Sequence, residues 1–255
     1  MKCTYCLRKI KDNLTYDHVF PDAWYPDSTP DNVQRWTVSS CIKCNAKFQI
    51  AEDELFIRWG ICVEPGLETC RGINERALKQ QFFIETKDPR KFGRKLAMFK
   101  KVTSRMGQYD PKRTHIGFTP KPGVRGTLAV ITPNKFRSIF SEKLARGTEF
   151  KLREKLISWK KRIGIYYEMA DDSMRKQYDI WNNLLIDGET VNLGPGFSVR
   201  WAVNPSNPEQ SLYHFEIWGH IKFYSLVYPK TISYELTHAW YAIKDYIRYT
   251  LNQRN

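Results

Sequence analysis

The chain has 255 residues and a formal net charge of +14, and 42% of its residues are hydrophobic, including 14% aromatic residues. That hydrophobic content excludes a disordered protein, and no apolar run reaches the roughly 18 residues that a membrane helix requires. The N-terminus lacks the apolar stretch of a signal peptide, so we expect a cytoplasmic protein that does not enter a membrane. The length suits one large domain or two modest ones.

The first elements predict a small domain over residues 1–65. Residues 15–19 predict a short strand, and a loop rich in proline and aspartate follows it. Residues 33–39 alternate as expected for a second strand. From Asn45 the pattern becomes helical and ends at Gly60, with four apolar residues at spacings of three and four. These apolar residues are Phe48, Ala51, Leu55 and Trp59.

Residues 66–255 predict a second, basic domain of α+β class, whose topology the pattern does not define. Strands 197–203 and 212–228 flank a turn rich in proline and asparagine. The other predicted elements are a basic helical stretch over roughly 73–106 with an interruption near Asp88-Pro89, a strand over 127–132, and helices over 135–146 and 235–251. The whole chain is therefore expected to be α+β.

The charge is distributed unevenly along the chain. Residues 1–70 carry a net charge of −2, residues 71–105 carry +8, and the remainder carries a further +8. A polyanion held by the basic part would be presented to the slightly acidic first part. We therefore expect nucleic acid as the partner, and the choice of double-stranded DNA comes from the motifs described below.

Basic residues interleaved with aromatic ones are the candidates for phosphate contact. Such a cluster fits tracking along a DNA backbone, and it fits equally a solvated amphipathic helix with its phenylalanines in the core. The cluster contains Lys91, Arg94, Lys95, Lys100 and Lys101 around Phe92 and Phe99, and Lys47 is a further candidate.

Two Cys-x-x-Cys pairs predict a structural metal site. Cys3 and Cys6 form the first pair, Cys41 and Cys44 form the second, and 34 residues lie between the two pairs. Zinc prefers four soft ligands in a tetrahedron, and two such turns supply all four thiolates. Zinc binding would stabilise a unit of about 60 residues whose own core is small. Two further cysteines stand apart and are expected to be ordinary half-buried thiols.

The residues between the two pairs suggest hydrolytic chemistry. Phosphodiester hydrolysis needs a base that activates water and a cation that stabilises negative charge. Asp17 offers a hard oxygen ligand for Mg²⁺, and His18 offers an imidazole, the side chain suited to proton transfer near neutral pH. Neighbours on a strand face opposite ways, so a twist or bulge is required for both to act together. Asn45 offers a second oxygen ligand, or alternatively it only caps the helix.

The stretch Cys3-Thr-Tyr-Cys6, Asp17-His18-Val-Phe-Pro21, Asn32-Val33 and Cys41-Ile-Lys-Cys44-Asn45 resembles the zinc-containing HNH endonuclease family, which has the ββα-metal fold. The resemblance covers about residues 1–60. It implies that His18 is the general base and that Asp17 and Asn45 bind a catalytic Mg²⁺ or Mn²⁺. It also implies that Asn32 fixes the loop between the strands, and that the four cysteines bind zinc.

The sequence departs from the family pattern after the second cysteine pair. Many members carry a lysine three residues after the asparagine, where this chain has Phe48, and Lys47 comes one residue earlier. Glu52 and Asp53 follow in the same helix and could reach the site as further acids, but we expect both on the solvated face of the helix. The segment 142–147, Glu-Lys-Leu-Ala-Arg-Gly, is similar to a segment of uncharacterised bacterial HNH proteins and implies no activity.

The sequence leads to the hypothesis of an HNH endonuclease that hydrolyses DNA phosphodiester bonds. One active site cuts one strand, so a double-strand break requires a homodimer or two sequential nicks. A second hypothesis is a zinc-ribbon DNA-binding module without catalysis, and a third is a nuclease effector of phage defence or restriction that is gated by its C-terminal domain. A weaker idea places His214, Glu216, Trp218 and His220 on one strand face as a second ligand set.

Overall fold

A computed structural model describes most of the chain, and the fold is mixed α+β as predicted. The described residues are 1–64, 66–81, 132–168 and 175–230, with short segments at 88–90, 92–93, 96–97, 100, 104, 106–108 and 128–130. The predicted helix over 235–251 lies outside the described residues. Among the described helices, none is long and apolar enough to cross a membrane.

Residues 1–60 form a compact arrangement of two strands and one helix, here called the hairpin unit. Strand β1 (Leu14–His18) pairs antiparallel with β2 (Thr37–Cys41), and helix α1 (Ile42–Gly60) follows β2 directly. The second strand begins later than predicted because β1 is only five residues long and its ladder ends where His18 pairs with Thr37. A hydrogen bond from Val19 N–H to Trp36 O extends the contact by one step.

Helix α1 begins three residues before the predicted start because Cys41, in an extended conformation, is its N-cap. Asn45 is therefore inside the first turns, and the alternative that it caps the helix is wrong. The predicted apolar face is confirmed, since Phe48, Ala51, Leu55 and Trp59 are all buried. The predicted end at Gly60 is also confirmed, and a Cβ at Gly60 would lie 2.7 Å from Ala77 Cβ.

The next elements are a helix that packs on the hairpin unit and a pair of short strands. Helix α2 (Ile73–Gln81) packs on α1, and strands β3 (Met106–Gln108) and β4 (Leu128–Val130) pair with each other. The predicted helical stretch 73–106 thus begins as α2 and ends in a strand at Met106. Most of its middle lies outside the described residues.

Helix α3 (Asn134–Arg153) is longer than the predicted 135–146. Gly147 does not end it. A Cβ at that position would lie 2.8 Å from both Cγ atoms of Val19, so the glycine permits a close approach of α3 to the hairpin unit. The helix ends at Glu154, whose φ of 54° is the left-handed conformation typical of a C-cap.

The C-terminal part is an antiparallel sheet of five strands, here called the sheet unit. The strands lie in the order β5-β9-β8-β7-β6, and helix α4 (Arg175–Leu184) packs on one face. The strands are β5 (Lys161–Tyr167), β6 (Glu189–Asn192), β7 (Phe197–Val203), β8 (Ser211–Ile217) and β9 (Ile221–Pro229). The predicted strand 197–203 is confirmed, and 212–228 proves to be two strands joined by a turn. Strands β5 and β6 and helix α4 were not predicted.

Both units contribute to one hydrophobic core. The Trp24 ring, from the loop between β1 and β2, stacks on Phe140 of α3 at a centroid distance of 4.6 Å and lies 5.1 Å from the Trp218 ring. The Trp218 indole N–H donates to Trp24 O at 2.8 Å, and both side chains are fully buried. The domain boundary near residue 65 stays a prediction, and the residues on its two sides share this core.

Candidate metal centre and adjoining polar site

Four cysteines come from two parts of the hairpin unit. Cys3 and Cys6 lie in the N-terminal loop, where Leu7 N–H donates to Cys3 O and Leu7 has a positive φ of 65°. Cys41 ends β2, and Cys44 lies in the first turn of α1. The β1–β2 pairing and the tight N-terminal loop therefore bring the two sequence pairs to the same place.

The geometry of the four thiols fits a tetrahedral metal ion. All four Sγ atoms lie within 4.8 Å of one another, and Cys6 Sγ lies 3.8 Å from Cys41 Sγ. Zinc–sulfur bonds of about 2.3 Å in a tetrahedron separate the sulfur atoms by about 3.8 Å. The four cysteines can therefore hold a metal ion such as zinc, as their spacing predicted.

The protein environment lowers the pKa of one of the thiols, Cys3, and raises the pKa of another, Cys44. Burial raises the pKa of the Cys3 thiol, but hydrogen bonds from the backbone N–H groups of Cys6, Cys41 and Tyr5 lower its pKa to about 7. Burial raises the pKa of Cys44, and the neighbouring Cys3 adds to that increase. A bound cation stabilises thiolates, and the α1 N-terminus acts in the same direction.

The Asp17-His18 dipeptide lies on β1, in the middle of the hairpin unit. The ladder is regular, with Asp17 opposite Val38 and His18 opposite Thr37, so no bulge interrupts the strand there. Asp17 is buried at 7% exposure, whereas His18 is only half-buried. The two side chains therefore lie on opposite faces of the strand.

Asp17 makes an ion pair with a lysine from the other side of the predicted domain boundary. Lys143 Nζ of α3 lies 3.2 Å from Asp17 Oδ1 and 3.1 Å from Oδ2, and it also forms a short contact with Glu52 Oε1. Lys143 is fully buried. The expectation that Glu52 lies on a solvated helix face is wrong, because its carboxylate points to this lysine.

The walls of this ion cluster are aromatic. Phe48 lies where many HNH sequences have a lysine, and the Lys143 ammonium is 5.9 Å from its ring centroid. Tyr5 packs edge-on against Phe48 at 4.6 Å, and burial together with the Asp17 carboxylate raises the Tyr5 pKa well above its usual value. Burial also raises the pKa of Glu52, and the neighbouring Lys143 ammonium offsets only part of that increase.

A catalytic Mg²⁺ or Mn²⁺ at Asp17 does not fit this arrangement. Both carboxylate oxygens of Asp17 already face the Lys143 ammonium, and a divalent ion would have to take those positions. Asn45, the second predicted ligand, is half-buried in α1. The metal site that the described residues do bring together is the four-cysteine cluster.

In the described part of the chain, the remaining predicted residues make no hydrogen bond or ion pair with Lys143, Asp17 or Glu52. Asn32 and Lys47 are exposed, and Lys47 Nζ lies 5.6 Å from the Phe48 ring centroid. Within the described part of the chain, the side chains of His18, Asn32 and Asn45 make no hydrogen bond or ion pair. Their roles in catalysis stay predictions.

The basic cluster predicted on the first C-terminal helix is largely outside the described residues. That is the case for Lys91, Arg94, Lys95 and Lys101, and also for Phe99. Lys100 is described and exposed, and Phe92 is 45% exposed.

An exposed tryptophan surrounded by basic residues begins the sheet unit. Trp159 is 71% exposed, in the turn before β5, and the ammonium groups of Lys160 and Lys230 lie 5.7 and 5.9 Å from its ring centroid. Lys155 and Arg162 are exposed nearby in sequence. These five residues are called the Trp159 surface. The sequence signals three of these charges as a basic run over residues 151–162, but it signals neither the exposed ring nor the approach of Lys230.

The residues of the weaker predicted ligand set do not share a face. His214 Nε2 lies 2.9 Å from Glu168 Oε1 on the face covered by α4. Trp218 has a φ of 57° in the β8–β9 turn and is buried in the shared core. The turn breaks the strand alternation, so the predicted second ligand site is not formed.

Comparison of the chain with family models, curated proteins and solved structures finds no match.

Proposed function

We propose that the protein is a zinc-stabilised endonuclease of the HNH class that hydrolyses phosphodiester bonds in DNA. The observation that carries this proposal is the four-cysteine cluster, which joins the N-terminal loop to β2 and α1. Two strands and a helix follow one another as in the ββα-metal arrangement, with Asp17-His18 on the first strand and Asn45 in the helix. The zinc ion is structural in this proposal.

His18 is the general base of the proposed reaction. It is half-buried on the face of β1 opposite Asp17, so solvent and a phosphate group can reach it. It takes a proton from the water that attacks phosphorus. A catalytic Mg²⁺ or Mn²⁺ comes from the family resemblance alone, because Asp17 is engaged by Lys143.

Charge supports nucleic acid as the substrate. The net charge is +14, and the Trp159 surface has an accessible indole with two lysine ammonium groups near its ring and two further exposed basic residues close in sequence. Such a surface offers a face on which a base can stack and cations for the backbone phosphates. Trp159→Ala should weaken binding of a fluorescent oligonucleotide by about 1–3 kcal/mol. Ile186→Ala, which removes another exposed side chain, is the control.

The decisive experiment is cleavage of supercoiled plasmid by zinc-loaded protein in Mg²⁺ and in Mn²⁺. The wild type should nick or linearise the plasmid, and His18→Ala should not. Tyr16→Ala is the matched control, because Tyr16 lies on the same strand and is 62% exposed. The ratio of nicked to linear product reports whether a homodimer cuts both strands. No cleavage by the wild type of duplex, single-stranded or modified DNA would contradict the proposal.

The Lys143–Asp17 pair favours a second candidate function, a DNA-binding module without catalysis. In that case Asp17 is a structural acid that anchors α3, and the cysteines and basic charge serve binding only. The module would shift plasmid on a gel and leave it uncut in every divalent ion. Equal plasmid binding by wild type and His18→Ala, with cleavage by the wild type alone, would exclude it.

A further inference from the structure

The ion cluster around Lys143 combines groups that are 126 residues apart in the chain. The ammonium is fully buried and lies within 3.2 Å of both oxygens of Asp17, and it contacts Glu52 as well. A buried ammonium requires anionic partners, since its desolvation is otherwise uncompensated. Asp17 and Glu52 supply two negative charges to one positive charge, so the cluster favours an internal cation at this place.

The same place is the one that a divalent ion would need. An ion bound to the Asp17 carboxylate would lie within a few ångströms of the Lys143 ammonium, where like charges repel strongly in a buried setting. Asp17 therefore has one cationic partner at a time.

We propose that Lys143 occupies the cation position beside Asp17 and makes divalent-ion binding at Asp17 conditional on its displacement. Once Lys143 is withdrawn, Asp17 and Glu52 form a pair of carboxylate ligands of the kind that Mg²⁺ and Mn²⁺ prefer. Because Lys143 belongs to α3, the C-terminal part of the chain controls that ligand pair. Glu52, which the family resemblance leaves without a role, becomes an ion ligand.

The packing of α3 against β1 provides a structural basis for this control. Lys143 and Gly147 are four residues apart and lie on one face of the helix, and they meet Asp17 and Val19, which are two residues apart. Gly147 has no Cβ and so permits the close approach that carries Lys143 to Asp17. A shift of α3 away from Val19 would separate the lysine from both carboxylates.

The test is titration of zinc-loaded protein with Mn²⁺, followed by electron paramagnetic resonance. Lys143→Met should bind one Mn²⁺ about tenfold more tightly than the wild type, because the competing buried charge is gone. Adding Asp17→Asn to that variant should remove the new site. Lys135→Met, which removes an exposed lysine from the same helix, should bind Mn²⁺ as the wild type does.

Equal Mn²⁺ affinity of the wild type and a folded Lys143→Met would overturn the inference. If Lys143→Met does not fold, Asp17→Asn in the wild-type background decides. Unchanged weak Mn²⁺ binding in that variant supports Lys143 as the resident cation, and loss of a tight wild-type site refutes it. The inference rests on the proposed nuclease site, but its readout is ion binding. Plasmid cleavage tests the nuclease proposal separately, so each can fail alone.

Discussion

The hairpin unit and the sheet unit are stabilised in different ways. The hairpin unit has two strands of five residues each and relies on four thiols that can hold a metal ion. The sheet unit has five paired strands and stacked aromatic rings, such as Phe215 on Phe223 at 4.8 Å. A short two-stranded sheet buries too little apolar surface to be stable alone, whereas a larger sheet can do so. We therefore expect a metal ion at the four cysteines to do for the small unit what packing does for the large one.

The two units nevertheless meet in one core and one ion cluster. Trp24 stacks on Phe140, and Trp218 donates its indole N–H to Trp24 O. Asp17 pairs with Lys143. The units therefore have different local sources of stability, but the shared aromatic core and the Asp17–Lys143 ion pair connect them. The following variants test that division, in order of decreasing effect.

Cys3→Ser should have the largest effect. It removes one of four metal ligands, and structural zinc contributes about 10–16 kcal/mol in small zinc-binding peptides, as much as a typical domain's whole stability. We expect loss of bound zinc and of the hairpin unit's fold, measured by elemental analysis and by circular dichroism during heating. Cys62→Ser, outside the cluster, should retain both. A variant that keeps one zinc and the wild-type melting temperature would show that the cluster is not structural.

Trp24→Ala should destabilise both units together. The side chain is fully buried between α3 and the β8–β9 turn, and loss of a buried tryptophan costs about 3–5 kcal/mol. Denaturant unfolding followed by circular dichroism should show one transition at a lower midpoint. Trp159→Ala removes an exposed tryptophan and should leave the midpoint unchanged. Two separate transitions in Trp24→Ala would show that the units unfold independently.

Glu149→Gln should weaken the sheet unit without affecting the metal. The fully buried Glu149 carboxylate accepts hydrogen bonds from Ser211 at 2.8 Å and from Tyr213, and it pairs with Arg153 at 2.8 Å. Loss of hydrogen bonds to a charged group costs about 2 kcal/mol. The free energy of unfolding should fall while zinc content stays the same. Glu154→Gln, at an exposed position, is the control, and an unchanged stability of Glu149→Gln would contradict the prediction.

His220→Gln should have the smallest effect, and only in acid. Burial lowers the pKa of His220, and its Nε2 is buried without a hydrogen-bond partner in the described chain. The unfolded chain, with a histidine pKa of about 6.5, takes up the proton first. Stability is therefore complete above that pH and is lost as the pH falls through the folded pKa. The wild-type melting temperature should fall by about 2 °C more than that of the variant between pH 7.5 and pH 5. A parallel fall in both proteins would contradict this.

The parts that the sequence predicts are those set by short spacings. The apolar face of α1 and strand 197–203 each depend on residues a few positions apart, and each is confirmed. Each Cys-x-x-Cys pair is likewise a short spacing, and the two pairs do come together in a cluster that could hold a metal ion. Strand β5 was missed because Lys161 and Arg162 begin it, so that its sequence resembles the basic run before it. Strand β1 was predicted over residues 15–19 and lies one residue earlier, at Leu14–His18, but its regular course was not predicted.

The partners of Asp17 could not be predicted in this way. Nothing in the spacing of the chain connects Asp17 with Lys143, because their contact depends on how α3 packs on the hairpin unit. Glu52 follows a polar pattern that is typical of a solvated helix face, and only the neighbouring lysine changes that interpretation. Roles for His18, Asn32 and Asn45 depend on a bound substrate and stay predictions.

Gly147 has a consequence for the whole molecule that its size does not suggest. A methyl group there would lie 2.8 Å from both Cγ atoms of Val19, so any other residue would require a shift of α3 or of the Val19 side chain. Lys143 lies one helical turn away on the same face, where it pairs with Asp17. If α3 is what shifts, a substitution that changes no charge would separate a buried ion pair. The ion pair that joins α3 to the hairpin unit therefore depends on how closely the Gly147 backbone approaches the Val19 side chain.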